Sequence, residues 1–246
     1  MMEIKKRIKS SIEKLIGKPL YTSLPFGADP LKDVMRRFPL YKFQLIFDVG
    51  SNIGQSAMIY KKYFPDAQIY CFEPVTNTFQ QLISNLKKIP GIKCFQVGFG
   101  DIKDSISMIT GEHSDMNTLL SSREVIFTNG IQHREKIEID TLTSFCNEHG
   151  IMHINYLKID TEGYDLEVLK GAMLMLDSLA IDFIEVEAGM NPTNTLHIPF
   201  EEIKRFLENK NYFLYGIYEQ VQEWKTQHPI LRRCNPLFIS KRMANL

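Results

Sequence analysis

The stretch FDVGSNIG, residues 47–54, follows the apolar run FQLI within a strand pattern over 43–49 and leads into a helical pattern over 56–64 that Pro65 ends. A buried strand thus enters a glycine turn and leaves as a helix. That sets backbone N–H groups at a helix N-terminus, just past the carboxyl end of a strand. Open α/β sheets bind ligands in this crevice. The dinucleotide fingerprint would need glycines at 50, 52 and 55, where the chain has Gly50, Asn52 and Gln55. The phosphate loop GxxxxGK[ST] is absent too. The turn therefore suits a nucleoside ligand without phosphates better than a pyrophosphate or triphosphate.

Strand and helix alternate onward from there. QIYCFE (68–73) is a second strand, and a helix presenting Phe79, Leu82, Ile83, Leu86 and Ile89 on one face follows, with Asn77 or Thr78 as its cap and a glutamine three residues on. IKCFQV (92–97) is the third strand. Such alternation argues for a parallel sheet covered on both faces. The rhythm breaks over about 102–154, read as an inserted segment. There SISMI and KIEID are extra strands around the polar TGEHSDMNTLLSSRE, and TLTSFCNEHG is a short helix closed by Gly150. NYLKID, DLEVLKGAM, IDFIEVE and FEEIKRFLENK resume the alternation, and NYFLYGIY and NPLFISK form an antiparallel last pair. Residues 41–246 read as one α/β domain and 1–40 as a helical extension. In that extension Ile4, Ile8, Ile12, Leu15 and Ile16 recur at helical spacing among lysines, up to Gly17. A basic amphipathic helix can lie on an anionic membrane or a partner, or pack on its own domain.

The 29 basic and 29 acidic side chains balance, which argues against a nucleic-acid partner. Cys71, Cys94, Cys146 and Cys234 lack metal or disulfide-framework spacing and read as reduced thiols. No apolar run approaches the roughly 18 residues of a membrane span. The first residues lack the apolar stretch of a secretory signal. The expected location is cytoplasmic.

A nucleoside with an amino-acid tail has stated needs. Glu73, at the end of the second strand, can accept from ribose hydroxyls. Asp101, in GFGD after the third, can accept from an adenine amino group, with Gly98 and Gly100 letting the backbone approach the ring. Gly50, Ser51, Asn52 and Gly54 supply small residues and N–H groups for the tail. S-adenosylmethionine has all three parts. Singly, each acid has a plain explanation: Asp48 caps the turn, Glu73 is a surface acid before proline, Asp101 sits in an ordinary turn. Their arrival in order at successive strand ends favours a pocket.

FDVGSNIGQSA, CFEPVTNTFQQLISNL, GFGD, IEIDTLTSF, NYLKIDTEGYDLEVLKGA and DFIEVEAG resemble the successive blocks of FkbM-type S-adenosylmethionine-dependent methyltransferases, over roughly 43–240. The resemblance implies a Rossmann-like class I methyltransferase fold: a seven-stranded, mostly parallel sheet with an antiparallel last strand and helices on both faces. It implies O-methylation of a hydroxyl on a sugar, glycan or related metabolite. It also implies a cofactor pocket of Asp48, Gly50, Asn52, Gly54, Glu73 and Asp101. One departure is Asp140, which precedes Thr141, whereas the family often has its acid after the TL pair.

A neutral sugar hydroxyl must lose its proton to attack a methyl group. Asp160 and Glu162 end the fourth core strand two residues apart and so face one side. Asp160 is the candidate base, or with Glu187 a ligand of a cation such as Mg²⁺ that lowers the acceptor's pKa. Glu162 and Glu187 assist, and Glu185 shares the face of Glu187. Alternatively, Asp160 and Glu162 merely cap the helix starting near Tyr164. Lys158 is read as pointing away from Asp160's neighbours at odd positions, His113 and His197 as solvated with a place at the acceptor or as its base as the alternative, and Trp224 as a partly buried structural residue with a sugar platform as the alternative. The competing functions are a nucleotide-dependent Rossmann oxidoreductase and a non-catalytic cofactor-binding protein on the same fold.

Overall fold

The computed structural model of the protein describes residue 8 and residues 11–15, 24–110, 133–224 and 228–245. Gly17, His113 and the polar stretch after residue 110 lie outside them. The chain forms two compact units, residues 1–39 and 40–246. In the first, residues 11–15 are helical with Ile12 and Leu15 exposed. Helix α1, Pro30–Arg37, starts at Asp29, whose carboxylate accepts from Lys32 N at 3.0 Å.

The second unit is built on strands β1 (Leu45–Val49), β2 (Gln68–Phe72) and β3 (Ile92–Phe95), then β4 (Gly98–Phe99), β5 (Asp104–Thr110) and β6 (His133–Asp140). It continues with β7 (Ile154–Ile159), β8 (Ile181–Val186), the short β9 (Ala188–Gly189), β10 (Tyr212–Gln222) and β11 (Leu231–Ser240). The main sheet runs in the order β10-β11-β8-β7-β1-β2-β3, with β9 against β11. Strands β3, β2, β1, β7 and β8 are parallel, and β11 runs antiparallel to β8 and β10. This is the expected seven-stranded sheet with its last strand reversed. The inserted strands form a sheet of their own, β4-β6-β5.

The strand sequences explain the layering. Ile154, Tyr156, Leu157 and Ile159 in β7 are all fully buried, as a central parallel strand covered on both faces requires. On one face Phe47, Phe72, Leu157 and Ile159 join a core with α4 (Leu142–Glu148), α5 (Asp165–Gly171), α6 (Met173–Asp177) and α7 (Phe200–Glu208). On the other, Tyr60 of α2 (Gln55–Tyr63) meets Tyr156 with ring centroids 5.8 Å apart. Phe43 stacks on Phe64 at 4.0 Å. A short α8 (Lys241–Ala244) ends the described chain.

Helix α3 (Thr76–Leu86) corrects the expected cap: Val75 is the N-cap, and Asn77 and Thr78 lie inside the first turn. Val75 is still extended, and the chain turns helical at Thr76. The carboxylate of Glu73 takes the Val75 N–H at 3.0 Å, and that of Glu135 takes the Thr76 N–H at 2.9 Å. None of the helices among the described residues is long and apolar enough to cross a membrane.

Asn155 ties β7 to the entry of β1: its buried Oδ1 accepts from both Gln44 N and Leu45 N at 2.8 Å. Removing it leaves two strand-entry donors without their partner. Asn155→Ala is expected to cost about 1–3 kcal/mol, read as a lower urea midpoint with unchanged slope; an unchanged midpoint would refute that role.

Candidate active site

The 50–54 turn is pinned between two strand ends. Gly50 N and Ser51 N both donate to Phe72 O at 3.0 Å, and Asp160 N donates to Val49 O at 2.9 Å. Gly50 has φ +79°, and a Cβ there would stand 1.9 Å from the carbonyl oxygen of Asp160. Only glycine fits that contact. Asn52 also has positive φ, 49°, and its N–H donates to Glu73 Oε2 at 3.1 Å. At Gly54, φ +97°, a Cβ would press on Leu86 at 2.8 Å. Ser51 Oγ donates to Asp48 O at 2.6 Å and accepts from Phe72 N at 3.1 Å. The turn borders a cleft of about 270 Å³ whose walls include Asn52, Glu73, Gly98, Asp160 and Glu162.

Below the turn, Asp48 is fully buried, and neither carboxylate oxygen has a hydrogen-bond partner. Burial raises its pKa to about 6, although the charge of Lys158 opposes the rise. Glu73 is similarly buried and raised to about 7, against the hydrogen bonds from Val75 N and Asn52 N. Glu73 lines the cleft, while Asp48 lies buried just before the lining residues Val49 to Asn52, an arrangement that fits a ligand with hydroxyl donors and positive charge.

Lys158 points away from its odd-numbered neighbours, and that brings it onto Asp160 itself. Residues two apart in a strand share a face, and Lys158 Nζ sits 2.9 Å from Asp160 Oδ2 and 3.2 Å from Ser56 Oγ. Burial lowers the lysine's pKa, but Asp160, Asp48 and Glu185 together hold it above its ordinary value. Burial in turn raises Asp160, yet the charge and hydrogen bond of Lys158 outweigh it and leave that carboxyl below the usual range. Asp160 is thus engaged by a lysine through Oδ2, and its carboxyl also meets the side chain of Glu187. Glu185, the register partner of Lys158, is buried and accepts from Tyr156 Oη.

Past the strand ends a second group gathers. Glu187 is 4% exposed, and Arg233 pairs with its Oε1. Its Oε2 lies 2.9 Å from His197 Nε2, and Glu162 Oε2 is 3.6 Å from the same nitrogen. His197 is buried rather than solvated, because the loop carrying it folds back on the sheet: Gly189 N donates to Ile198 O at 2.8 Å. Nothing in a lone loop histidine announces this. Glu162, at φ 52°, is raised to about 8 by burial and then by Glu187 and Asp160.

Other expectations change place. α5 has no side-chain cap from Asp160 or Glu162. Asp165, which the sequence reading passed over, accepts from Thr161 N at 3.3 Å and Gly163 N at 3.1 Å. The chain leaves the main sheet after Phe95, and Gly98–Phe99 pairs with β6 instead. That carries Asp101 to an exposed position and seats Gly100 against Gly171, so that neither lines the cleft, whereas Gly98 does. Trp224 is 64% exposed, with the Arg232 guanidinium 5.8 Å from its ring centroid.

The sequence profile described as the methyltransferase FkbM domain matches residues 48–214, more than half of the chain, from the acid of the glycine turn to the penultimate strand. The protein belongs to the FkbM methyltransferase domain family. Among relatives of this FkbM chain is the hexuronic acid methyltransferase AglP of Haloferax volcanii, 32% identical over 60% of this chain and 58% of its own length. Another is the 2-O-methyltransferase NoeI of Sinorhizobium fredii, 23% identical over 52% of this chain and 56% of its own. The match thus spans less than two thirds of either relative. A solved structure with some likeness is M. capricolum TrmK in complex with S-adenosyl-homocysteine, at TM-score 0.49 and 12% identity, covering 89% of this chain and 69% of that one.

In the ligand-free protein, Asp48 and Glu73 keep protons that an unfolded chain has already lost, so their contribution to stability falls as pH rises from about 4 to about 7. Asp48→Asn removes the buried charge. Its unfolding free energy should exceed wild type by about 2 kcal/mol at pH 8, with the gain vanishing near pH 4. A gain independent of pH in chemical denaturation would contradict this.

Proposed function

We propose that the protein transfers the methyl group of S-adenosylmethionine to a hydroxyl of a sugar or glycan acceptor. The observation that carries the reading is the cleft itself, where Glu73 stands beside a turn in which only glycine fits at position 50, with Asp48 buried behind that turn. S-adenosylmethionine supplies, when bound, a methyl group activated by a sulfonium. Glu73, whose Oε2 stands at the cleft beside Asn52 N, would hold the ribose hydroxyls. The charge of Asp48 below the 50–54 turn would balance the cationic end. Gly98 and Phe99 at the cleft wall, rather than Asp101, would border the base.

The acceptor side follows from charge. Asp160, held by Lys158, orients the neighbouring wall. The proton of an acceptor hydroxyl finds its nearest carboxylates and imidazole in Glu162, Glu187 and His197. A cation shared by Asp160 and Glu187 has no part in this reading, since Lys158 already occupies Asp160. The sugar class is supported by AglP, a hexuronic acid methyltransferase, and by NoeI, a 2-O-methyltransferase. A cytoplasmic location stays part of the proposal and rests on the cysteine spacing.

Calorimetric titration with S-adenosylmethionine, S-adenosylhomocysteine and NAD tests the cofactor, and labelled methyl transfer onto hexuronic-acid glycans tests the acceptor. Both sulfur nucleosides should bind, with Glu73→Gln weakening each at least about tenfold, as losing a charge-assisted hydrogen bond of 1.5–3 kcal/mol implies. Binding of NAD alone would overturn the proposal.

A further inference from the structure

The geometry points to a divalent metal site formed by Glu162, Glu187 and His197 at the acceptor end of the cleft. Their three ligand atoms all lie within 4.8 Å of one another, with His197 Nε2 at 2.9 Å from Glu187 Oε2 and 3.6 Å from Glu162 Oε2. Around an ion at about 2.0–2.2 Å, tetrahedral neighbours stand roughly 3.3–3.6 Å apart. The two distances to the imidazole bracket that spacing, and a small turn of the Glu162 side chain brings the two carboxylates, within 4.8 Å of each other, toward it.

Three further observations separate it from an ordinary ion pair. Glu187 Oε2 belongs to a side chain that is 4% exposed, yet it has no hydrogen-bond partner: its approach to the imidazole lacks the alignment of one. Its other oxygen is taken by Arg233, which fixes the carboxylate with Oε2 toward the cluster. His197 is held from behind by Asn194, whose Nδ2 and Oδ1 lie 2.9 and 3.0 Å from Nδ1, while Asn194 Nδ2 also donates to Arg232 O at 2.8 Å. In the tautomer with its proton on Nδ1, donated to Asn194 Oδ1, the Nε2 lone pair faces the two carboxylates. Metal-bound imidazoles are commonly held by an outer partner in this way.

The donor set is one imidazole and two carboxylates. That mixture suits Mn²⁺ or Zn²⁺ better than Mg²⁺, which favours oxygen alone. Glu162 lines the cleft, so an ion there has an open side toward the acceptor. Three protein ligands and one open position are the pattern of a metal that binds a substrate oxygen. Lowering the pKa of an acceptor hydroxyl is the role it would play; that role rests on the methyl-transfer reading, whereas the site itself does not. It differs from the pair expected from sequence, with Glu162 and His197 taking the place of Asp160.

The test is Mn²⁺ binding to the full chain after chelation and desalting, followed by the loss of the free-ion electron paramagnetic resonance signal, with Zn²⁺ as competitor. One Mn²⁺ per chain is expected, displaced by Zn²⁺. Glu187→Gln and Glu162→Gln should each weaken binding at least tenfold. Glu162 is the less buried of the two, so its variant keeps the test valid if Glu187→Gln unfolds, which thermal melting reports. Absence of binding at millimolar Mn²⁺ and Zn²⁺, or binding that neither variant weakens, would overturn the site. Titration of the same sample with S-adenosylmethionine separates the two proposals. Cofactor binding without metal binding removes this one alone. Metal binding without cofactor binding leaves this site standing and removes the methyl-transfer reading.

Discussion

Lys158 stands in the central strand with Asp160, Asp48 and Glu185 around it, and its charge lets that end of the sheet hold several buried acids together. A carboxylate out of water is costly unless paired. Here one ammonium, 2.9 Å from Asp160 and in register with Glu185, serves more than one. The sharing is unequal. Asp160 ends below its ordinary pKa, while Asp48 remains strained near 6. The inequality divides the cleft. One acid is settled with the lysine, and another, Asp48, is offset only in part by the same charge.

A second constraint is steric. The carbonyl of Asp160 occupies the space a side chain at position 50 would need. The 50–54 turn and the end of β7 are therefore packed as one piece, and the Glu162, Glu187 and His197 group beyond Asp160 is referred to the same frame. Glu162 follows in the left-handed region, Asp165 gathers the Thr161 and Gly163 N–H groups, and the His197 loop closes over the strand ends through Gly189. The result is a row of polar groups fixed by backbone contacts on both sides, the kind of support that keeps a site in register.

The succession of strands and helices and the glycine turn were legible because they depend on local signals: apolar runs, Pro65 and Pro74 as stops, and Gly50 at a forced conformation. The acid of strand two was legible for the same reason. Asp101 was misplaced because nothing local announces that the chain leaves the main sheet after Phe95 to pair with a strand some forty residues later. The strand period turned Lys158 away from residues 159 and 161, but it could not show that the ammonium would close on Asp160. His197, Asn194 and Arg233 were missed as a group because they come from a loop and a late strand that meet Glu187 only in the fold. Such meetings leave no spacing pattern to read.

The central claim is that Asp48 and Glu73, raised to about 6 and about 7, are carboxyl groups awaiting a cationic, hydroxyl-bearing ligand. Such a ligand favours their ionised forms and must drive protons off them. Calorimetry of S-adenosylmethionine binding at pH 6, repeated in buffers of different ionisation enthalpy, counts those protons. The account predicts net proton release on binding, reduced in Asp48→Asn; binding with no proton exchange, or with uptake, would contradict it.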